Sequence, residues 1–212
     1  MELAALVDAP AALVTSTGYH ANLAVLSALA DRDTLVVSDA HVHASLIDGI
    51  RLARAEVVVA PHLDVAAVAS ALDAAAGRRV LVVVESVYSV LGDAAPLASL
   101  AELAAARDAL LVVDEAHGLG VAGNDGRGLV HQLGLGRDPH VVATATLSKA
   151  FGAQGGAVLG APAILDQVVN RGRPFVYDTG LAPPSAGAAL AAVRLVRTEP
   201  HRAALVRSRI GA

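Results

Sequence analysis

Lys149 is the only lysine of the chain, because all other Lys or Arg positions are arginine. A lysine amine can condense with an aldehyde, whereas the arginine guanidinium stays protonated and cannot form a Schiff base. Thr146 and Ser148 precede it, and their hydroxyl groups could bind phosphate oxygens. The pattern predicts a partly sheltered, nucleophilic amine beside a phosphate-binding turn, although one surviving surface lysine explains the count alone equally well.

Asp114 directly follows the most apolar run of the chain, residues 110–113. A carboxylate in that position is buried and needs a cationic partner. A protonated pyridine nitrogen would serve, and pyridoxal 5'-phosphate (PLP) needs that protonation to act as an electron sink. These residues therefore predict a PLP site formed by Lys149 and Asp114, with an aspartate that caps the next helix as the alternative.

Four further residues could complete such a site. Gly18 and Tyr19 open a predicted helix, and the free N–H groups at a helix N-terminus suit a phosphate, although an ordinary glycine turn fits these residues equally well. His43 begins another predicted helix and could stack on an aromatic ring. His117 lies three residues after Asp114 and could donate a hydrogen bond to a phenolate oxygen.

Short β-branched runs alternate with segments rich in alanine and leucine, which predicts alternating strands and helices. The strand candidates are residues 12–15, 34–38, 56–60, 80–84, 110–113 and 141–144, with 155–160 as a further short strand. The helix candidates are residues 21–30, 44–54, 65–76 and 97–107, and the pattern turns helical again from residue 162. Because the strands are almost wholly apolar, we expect them to be buried on both faces of a mostly parallel, doubly wound sheet in an α/β fold.

Nearly every chemically active side chain follows the end of a predicted strand. His43 comes after the second strand, Ser89 after the fourth, Asp114 after the fifth and Lys149 after the sixth. Ligands of open α/β sheets bind beyond the carboxyl ends of the strands. Purely structural polar residues would occupy both edges equally, so this one-sided distribution predicts a common site.

The composition excludes several classes of protein. Hydrophobic residues make up 55% of the chain and charged residues 17%, which excludes a disordered protein and allows a sizeable core. The net charge of -4, with both signs interspersed, argues against a nucleic-acid or anionic-membrane partner. The absence of cysteine excludes disulfides and thiolate metal sites. Residues 9–30 lack charged side chains, but their polar cluster makes a membrane helix costly, so a cytoplasmic protein is expected.

Three other kinds of site are disfavoured by what the sequence lacks. His41 and His43 could suggest a metal site, but no third ligand has convincing spacing. Residues 114–117 read like the Walker B box of an ATPase, yet no G-x-x-x-x-G-K-[ST] loop precedes Lys149. A dehydrogenase would require a G-x-G-x-x-G turn after the first strand, and none is present.

Six segments in this order resemble the α-oxoamine synthases, a branch of the fold-type-I PLP enzymes. They are residues 17–22, 38–46, 85–89, 113–120, 126–128 and 146–152. Each segment alone is weak evidence, but their combination is highly specific. The resemblance covers essentially the whole chain.

The resemblance implies a role for each candidate residue. Lys149 would be the Schiff-base lysine and the base that takes the α-proton of the amino-acid substrate. Asp114 would pair with the pyridine nitrogen, and His43 would stack on the ring and touch substrate. His117 and Ser89 would contact the ring oxygen of the cofactor.

The same resemblance implies which residues hold the phosphate. Gly18, Tyr19 and Thr146 would bind the phosphate end of PLP. Thr179 resembles the residue that reaches the phosphate of the partner subunit, which implies a homodimer.

The resemblance also implies a reaction, a decarboxylative condensation in biotin biosynthesis. L-alanine would condense with pimeloyl-CoA or pimeloyl-carrier protein to give 8-amino-7-oxononanoate. Two alternatives stay open at this point. The chain could be another α-oxoamine synthase that uses glycine or serine with a different acyl-CoA, or a catalytically inactive fragment of such an enzyme.

The resemblance further implies an incomplete PLP-binding large domain over residues 1–212. An N-terminal segment with acyl-substrate contacts and a small C-terminal domain with a carboxylate-binding arginine are expected to be absent.

Overall fold

Seven strands in residues 2–75 and 77–210, which the computed structural model describes, form one sheet. They are β1 (Ala11–Thr15), β2 (Leu35–Asp39), β3 (Glu56–Ala60), β4 (Val80–Glu85), β5 (Leu110–Asp114), β6 (Val141–Thr146) and β7 (Gly156–Gly160). Their order across the sheet is β1-β7-β6-β5-β4-β2-β3. Only β7 runs in the opposite direction, since it pairs antiparallel with β1 and β6 while the remaining described pairs are parallel. The predicted mostly parallel α/β sheet is confirmed.

The helices lie between and after the strands. They are α1 (Glu2–Val7), α2 (Gly18–Leu29), α3 (Ala44–Ala53), α4 (Val65–Ala74), α5 (Leu97–Ala106), α6 (Leu129–Gln132), α7 (Pro162–Arg171), α8 (Arg173–Val176), α9 (Pro183–Thr198) and α10 (His201–Ile210), with a 3-10 turn at Leu135–Arg137. The predicted last residue of α4, Ala76, lies outside the described residues. Within the part of the chain that is described, no helix is both long and apolar enough to cross a membrane.

Helix α2 begins at Gly18, three residues before the predicted start. Thr17 has an extended backbone, and its side-chain oxygen accepts a hydrogen bond from the N–H of His20 at 3.0 Å. A hydroxyl in this position satisfies an N–H group that the helix itself cannot pair. The cap therefore sets the start of α2, although the apolar pattern begins only at Ala21.

Two apolar layers cover the central strands. Successive side chains of a strand point to opposite faces. Val82 and Val84 accordingly pack with residues of α1, α4, α5 and α9, whereas Leu81 and Val83 pack with residues of α2, α3 and α7. Because both layers are apolar, the strands carry no polar alternation, which is why the sequence predicted a doubly wound sheet.

The prediction that the strands are buried on both faces is wrong for β3. This strand lies at the edge of the sheet and pairs only with β2 among the described strands. Val57 and Val59 are 45% and 61% exposed. Residue type alone predicted burial, but burial also requires a covering layer, and an edge strand has fewer neighbours to supply one.

The parallel direction of β1, β2, β4, β5 and β6 brings their carboxyl ends to one edge of the sheet. The segments after these strands carry nearly all the candidate residues, so the predicted convergence depends on this shared direction.

Candidate active site

A cavity of about 250 Å³ lies at this edge of the sheet. Its volume is slightly below the range of about 300–1,000 Å³ that is common for small-molecule sites. The lining residues come from the ends of five strands and the segments that follow them: Thr17, Gly18, Tyr19, Asn22, His43, Ser45, Glu85, Asp114, Ala116, His117, Thr146, Ser148 and Lys149. The cavity therefore brings together Gly18, Tyr19, His43, Asp114, His117, Thr146 and Lys149 of the predicted residues, but its lining does not include Ser89 or Thr179.

Lys149 lies in the turn after β6, and its Nζ is 2.7 Å from Nε2 of His117. Burial and the charge of Lys149 lower the pKa of His117, although Asp114 opposes the shift. A neutral His117 can accept a hydrogen bond from the ammonium of Lys149. The predicted shelter of Lys149 is wrong, since the residue is exposed at the mouth of the cavity.

Asp114 ends β5 and is only 5% exposed. Its Oδ2 accepts a hydrogen bond from the Asn22 amide at 2.7 Å, and its Oδ1 accepts one from the N–H of Ala116 at 2.8 Å. The residues after Asp114 form a turn rather than a helix, so the alternative of a helix cap is wrong. Both carboxylate oxygens are thus held in fixed positions at the floor of the cavity.

Asn22 and Ser45 are site residues that the sequence reasoning missed. The Asn22 amide donates to Ser45 Oγ at 2.8 Å as well as to Asp114, and its oxygen accepts from Thr144 Oγ1 at 2.6 Å. Ser45 Oγ in turn lies 2.7 Å from Nδ1 of His43, which also accepts from the Ser45 N–H. An asparagine within the apolar sequence of α2 was the available signal. This network fixes the orientation of the His43 ring relative to Asp114.

The start of α2 packs closely against the end of β6. A Cβ atom on Gly18 would lie only 2.8 Å from Cβ of Thr146, so the close approach requires glycine. The Thr146 hydroxyl is 2.8 Å from that of Ser148. Tyr19 lines the cavity while its hydroxyl donates to Asp48 on α3. Helix N–H groups and two hydroxyls therefore face one corner, where an anion would be stabilised.

Glu85 is a second buried acid of the cavity that the sequence reasoning missed. It ends β4, opposite Asp114 in the sheet register, and is 1% exposed. Its Oε2 accepts from the N–H of Ser89 at 3.1 Å, whereas Oε1 has no hydrogen-bond partner among the described residues. Burial, together with the charge of Asp114, raises the pKa of Glu85 to about 7.

Substitution of Glu85 by glutamine is expected to weaken the pH dependence of stability. Because the pKa of Glu85 rises from 4.5 to about 7 on folding, its contribution is complete below pH 4.5 and is lost as pH rises through 7. Between pH 5 and pH 8 the change amounts to about 2–3 kcal/mol. Urea unfolding at both pH values should show a smaller loss in Glu85→Gln than in the wild type.

The matched control is Glu102→Gln, which changes an exposed glutamate of α5. This variant should keep the full pH dependence of the wild type. An equal loss of stability in Glu85→Gln and the wild type would contradict the raised pKa of Glu85.

Glu115 follows Asp114 but has a structural role. It is fully buried, and its oxygens accept from the Val130 N–H at 2.6 Å and from Ser86 Oγ at 2.7 Å. Burial raises the pKa of Glu115 to about 7. Gly128 has a φ of +86° and no room for a Cβ beside this carboxyl. These contacts anchor the segment after β5, which carries His117 at the cavity.

Ser89 and Thr179 do not line the cavity. Ser89 is exposed, and its N–H donates to Glu85. Thr179 is exposed beside a separate shallow pocket at the end of β1, and its N–H donates to Asp178. Their contacts with a cofactor, one of them across a subunit boundary, stay predictions.

Two other arrangements of polar residues do not form reactive sites. The Nδ1 of His20 is 2.6 Å from Ser16 Oγ and 3.4 Å from Asp178 Oδ2. A hydrolytic triad needs its serine and aspartate on different ring nitrogens, whereas both contact Nδ1 here.

In the stretches 2–75 and 77–210, no group of three or more His, Cys, Asp or Glu residues could hold a metal ion.

Comparison with known proteins agrees with this architecture. An 8-amino-7-oxononanoate synthase of Mycolicibacterium gilvum is 53% identical over 201 residues, which cover 95% of this chain and 53% of the relative. The solved 8-amino-7-oxononanoate synthase of Francisella tularensis has a TM-score of 0.83 and 30% identity, and the match covers 96% of this chain and 58% of that one. A serine palmitoyltransferase variant from S. paucimobilis with a bound PLP–myriocin aldimine has a TM-score of 0.85 and 34% identity, over 92% of this chain and 50% of that one.

The chain spans about half the length of the curated relatives that it matches. A family model described as aminotransferase class I and II matches residues 2–210. The resemblance that the motifs predicted is therefore confirmed for the family and its fold. The chain belongs to the aminotransferase class I and II family.

Proposed function

We propose that this chain is the PLP-binding large domain of an enzyme that condenses L-alanine with a pimeloyl thioester. The observation that carries the proposal is the shared cavity, which joins the only lysine amine of the chain to a buried carboxylate. When bound, PLP supplies an aldehyde carbon for an amine and a ring that accepts electrons. The solved S. paucimobilis protein with bound PLP supports this choice of cofactor.

The residues of the cavity fit the three functional parts of PLP. Asp114 supplies a buried negative charge for a protonated pyridine nitrogen, and Asn22 keeps that carboxylate in place. Gly18 and Thr146 form the anion-stabilising corner for the phosphate, with Tyr19 beside them. His43 presents its ring to the cavity, where it would stack on the pyridine. The predicted contacts of Ser89 with the ring oxygen and of Thr179 with the partner subunit belong to the same proposal.

Lys149 and His117 are the groups that would move a proton. Lys149 can share a hydrogen bond with His117, because Nζ lies 2.7 Å from Nε2, and burial together with the charge of Lys149 lowers the pKa of His117. Lys149 is exposed at the cavity mouth, where an amino acid would enter. We infer that the free, unprotonated amine of Lys149 takes the α-proton of the amino acid and that His117 donates to the ring oxygen.

Relatives named 8-amino-7-oxononanoate synthase support the choice of substrates, since two of them are 53% identical to this chain over 95% and 98% of its length. The proposed reaction joins L-alanine to the acyl group of pimeloyl-CoA or pimeloyl-carrier protein. Carbon dioxide and the free thiol leave, and 8-amino-7-oxononanoate is formed for biotin biosynthesis. The proposal includes a homodimer that works in the cytoplasm.

A product assay tests the proposed substrates. The chain is incubated with PLP, pimeloyl-CoA and L-alanine, and 8-amino-7-oxononanoate is measured by mass spectrometry. We expect product with L-alanine and at least about tenfold less condensation with glycine or serine, since one misfitting group at a pocket changes rates by about 10–200-fold. Lys149→Ala is the blank.

The outcomes of this assay separate the alternatives. A preference for glycine or serine with another acyl-CoA would favour a different α-oxoamine synthase. Covalent PLP binding without any condensation would favour the inactive fragment. Either result would contradict the proposed reaction while leaving the cofactor assignment intact.

A further inference from the structure

His62 forms hydrogen bonds to two carboxylates at the same edge of the sheet. Its Nδ1 is 2.8 Å from Oδ1 of Asp39, and its Nε2 is 3.0 Å from Oδ2 of Asp93. A carboxylate only accepts hydrogen bonds, so an imidazole between two carboxylates donates from both nitrogens. Only the charged, doubly protonated ring of histidine can do so.

The surroundings of His62 favour this charged form. Its side chain is 17% exposed, and burial opposes the charge, but the hydrogen bonds to Asp39 and Asp93 outweigh burial and raise its pKa. The His41 and Tyr88 rings lie nearly perpendicular to the His62 ring, with centroids 4.6 Å and 4.5 Å away. Burial raises the pKa of Tyr88, so that its hydroxyl stays neutral.

The three members of this cluster come from three adjacent loops. Strands β4, β2 and β3 are neighbours in the sheet. Asp39 ends β2, His62 follows β3, and Asp93 lies in the loop after β4. The ion pairs of His62 therefore connect the carboxyl ends of three strands, in addition to the sheet below and the hydrogen bond from the Leu63 N–H to Asp39.

Two of these loops lead directly to the cavity. Asp39 accepts hydrogen bonds from the N–H groups of His41 at 2.8 Å and Leu63 at 2.9 Å, so it fixes the backbone two residues before His43. In the loop after β4, the N–H of Tyr88 donates to the carbonyl oxygen of Asp93 at 2.9 Å. The next residue is Ser89, whose N–H contacts Glu85 in the cavity.

We propose that His62 is a positioning residue. Through its ion pairs with Asp39 and Asp93, it holds in register the loop after β2, which carries His43, and the loop after β4, which carries Ser89. It contacts neither the cavity nor the reacting groups, and it acts through the two loops. Any effect of this positioning on catalysis rests on the proposed function. Loss of one ring proton leaves His62 neutral with a single N–H, so one of its two hydrogen bonds is lost and the two loops are no longer joined through it.

The proton of His62 can be followed directly by NMR titration of the histidine rings, with His62→Gln to assign the signal. The expected midpoint lies above the ordinary value of about 6.5. Asp93→Asn keeps an acceptor oxygen but removes one negative charge, so it should lower the midpoint by about one pH unit. The matched control is Asp33→Asn, which changes an exposed aspartate and should leave the midpoint within about 0.2 units.

Hydrogen exchange tests whether this proton holds the loops. The amides of His41, Leu63 and Tyr88 should exchange about tenfold faster, after correction for intrinsic rates, once the pH exceeds the midpoint. In Asp93→Asn this acceleration should move to lower pH together with the titration. A fold defect would accelerate exchange at every pH, so the shared pH profile distinguishes positioning from a general loss of structure.

Two results would overturn the inference. One is a His62 midpoint at the ordinary value, or one that Asp93→Asn does not move. The other is a hydrogen-exchange rate of the loop amides that does not change at the pH of the His62 midpoint. Neither measurement requires PLP, so a wild-type chain that binds no PLP would overturn the proposed function while the titration and exchange still decide the inference.

Discussion

Substitution of Lys149 by alanine is expected to abolish covalent PLP binding. The wild-type chain should develop a visible absorption band with PLP, and borohydride should fix one pyridoxyl phosphate group to each chain. The physical reason is that no other lysine is present, so the N-terminal amine is the only other amine able to react. Peptide mapping by mass spectrometry should find the fixed group on the peptide that contains Lys149.

Lys149→Arg is the matched control for charge. Arginine keeps a cation near His117 but cannot condense with an aldehyde, so it should behave like alanine in the borohydride experiment. If Lys149→Arg or Lys149→Ala retained the full yield of borohydride-fixed PLP, the amine of Lys149 would have no role in binding the cofactor.

Substitution of Asp114 by asparagine is expected to weaken PLP binding by about 10²–10³-fold. Removing one partner of a buried ion pair costs about 3–5 kcal/mol, and each 1.4 kcal/mol corresponds to a factor of ten. Asparagine is nearly isosteric, and its single side-chain oxygen can still accept from one of the two donors, Asn22 or Ala116, so the backbone of the floor should persist. Titration of the absorption band with PLP measures the dissociation constant.

The unfolding free energy distinguishes a binding defect from a folding defect. The cofactor-free Asp114→Asn variant should unfold at a urea concentration close to that of the wild type, because the variant no longer buries a carboxylate charge, and this gain offsets the loss of one hydrogen bond. Asp166→Asn, which changes an exposed aspartate of α7, should alter neither quantity. Unchanged PLP affinity in Asp114→Asn would contradict the proposed pairing with the pyridine nitrogen.

The sequence predicted the strands well because buried parallel strands have a local signature. The predicted limits of β3 were those observed, and β5 extended by only one residue, to Asp114. The shared direction of the strands then brings Asp114 and Lys149 to one cavity, although they are far apart in the chain. The exposure of Val59 was unpredictable from its own segment, since it depends on which strand occupies the edge of the sheet.

The missed residues depend on long-range contacts. Asn22 and Asp114 are 92 residues apart, and neither position by itself indicates that an amide will meet a carboxylate. Glu85 is similar, because its raised pKa comes from burial and from Asp114 on the adjacent strand. The partners of His62 come from the end of β2 and the loop after β4, so the segment around His62 carries no sign of them.

A crystal structure of the chain with PLP tests the central claim most directly. The account predicts one cofactor in the cavity, with its aldehyde carbon bonded to Lys149 Nζ and its pyridine nitrogen about 2.7–2.9 Å from an oxygen of Asp114. A ring bound elsewhere, or one in the cavity with its nitrogen directed away from Asp114, would contradict it.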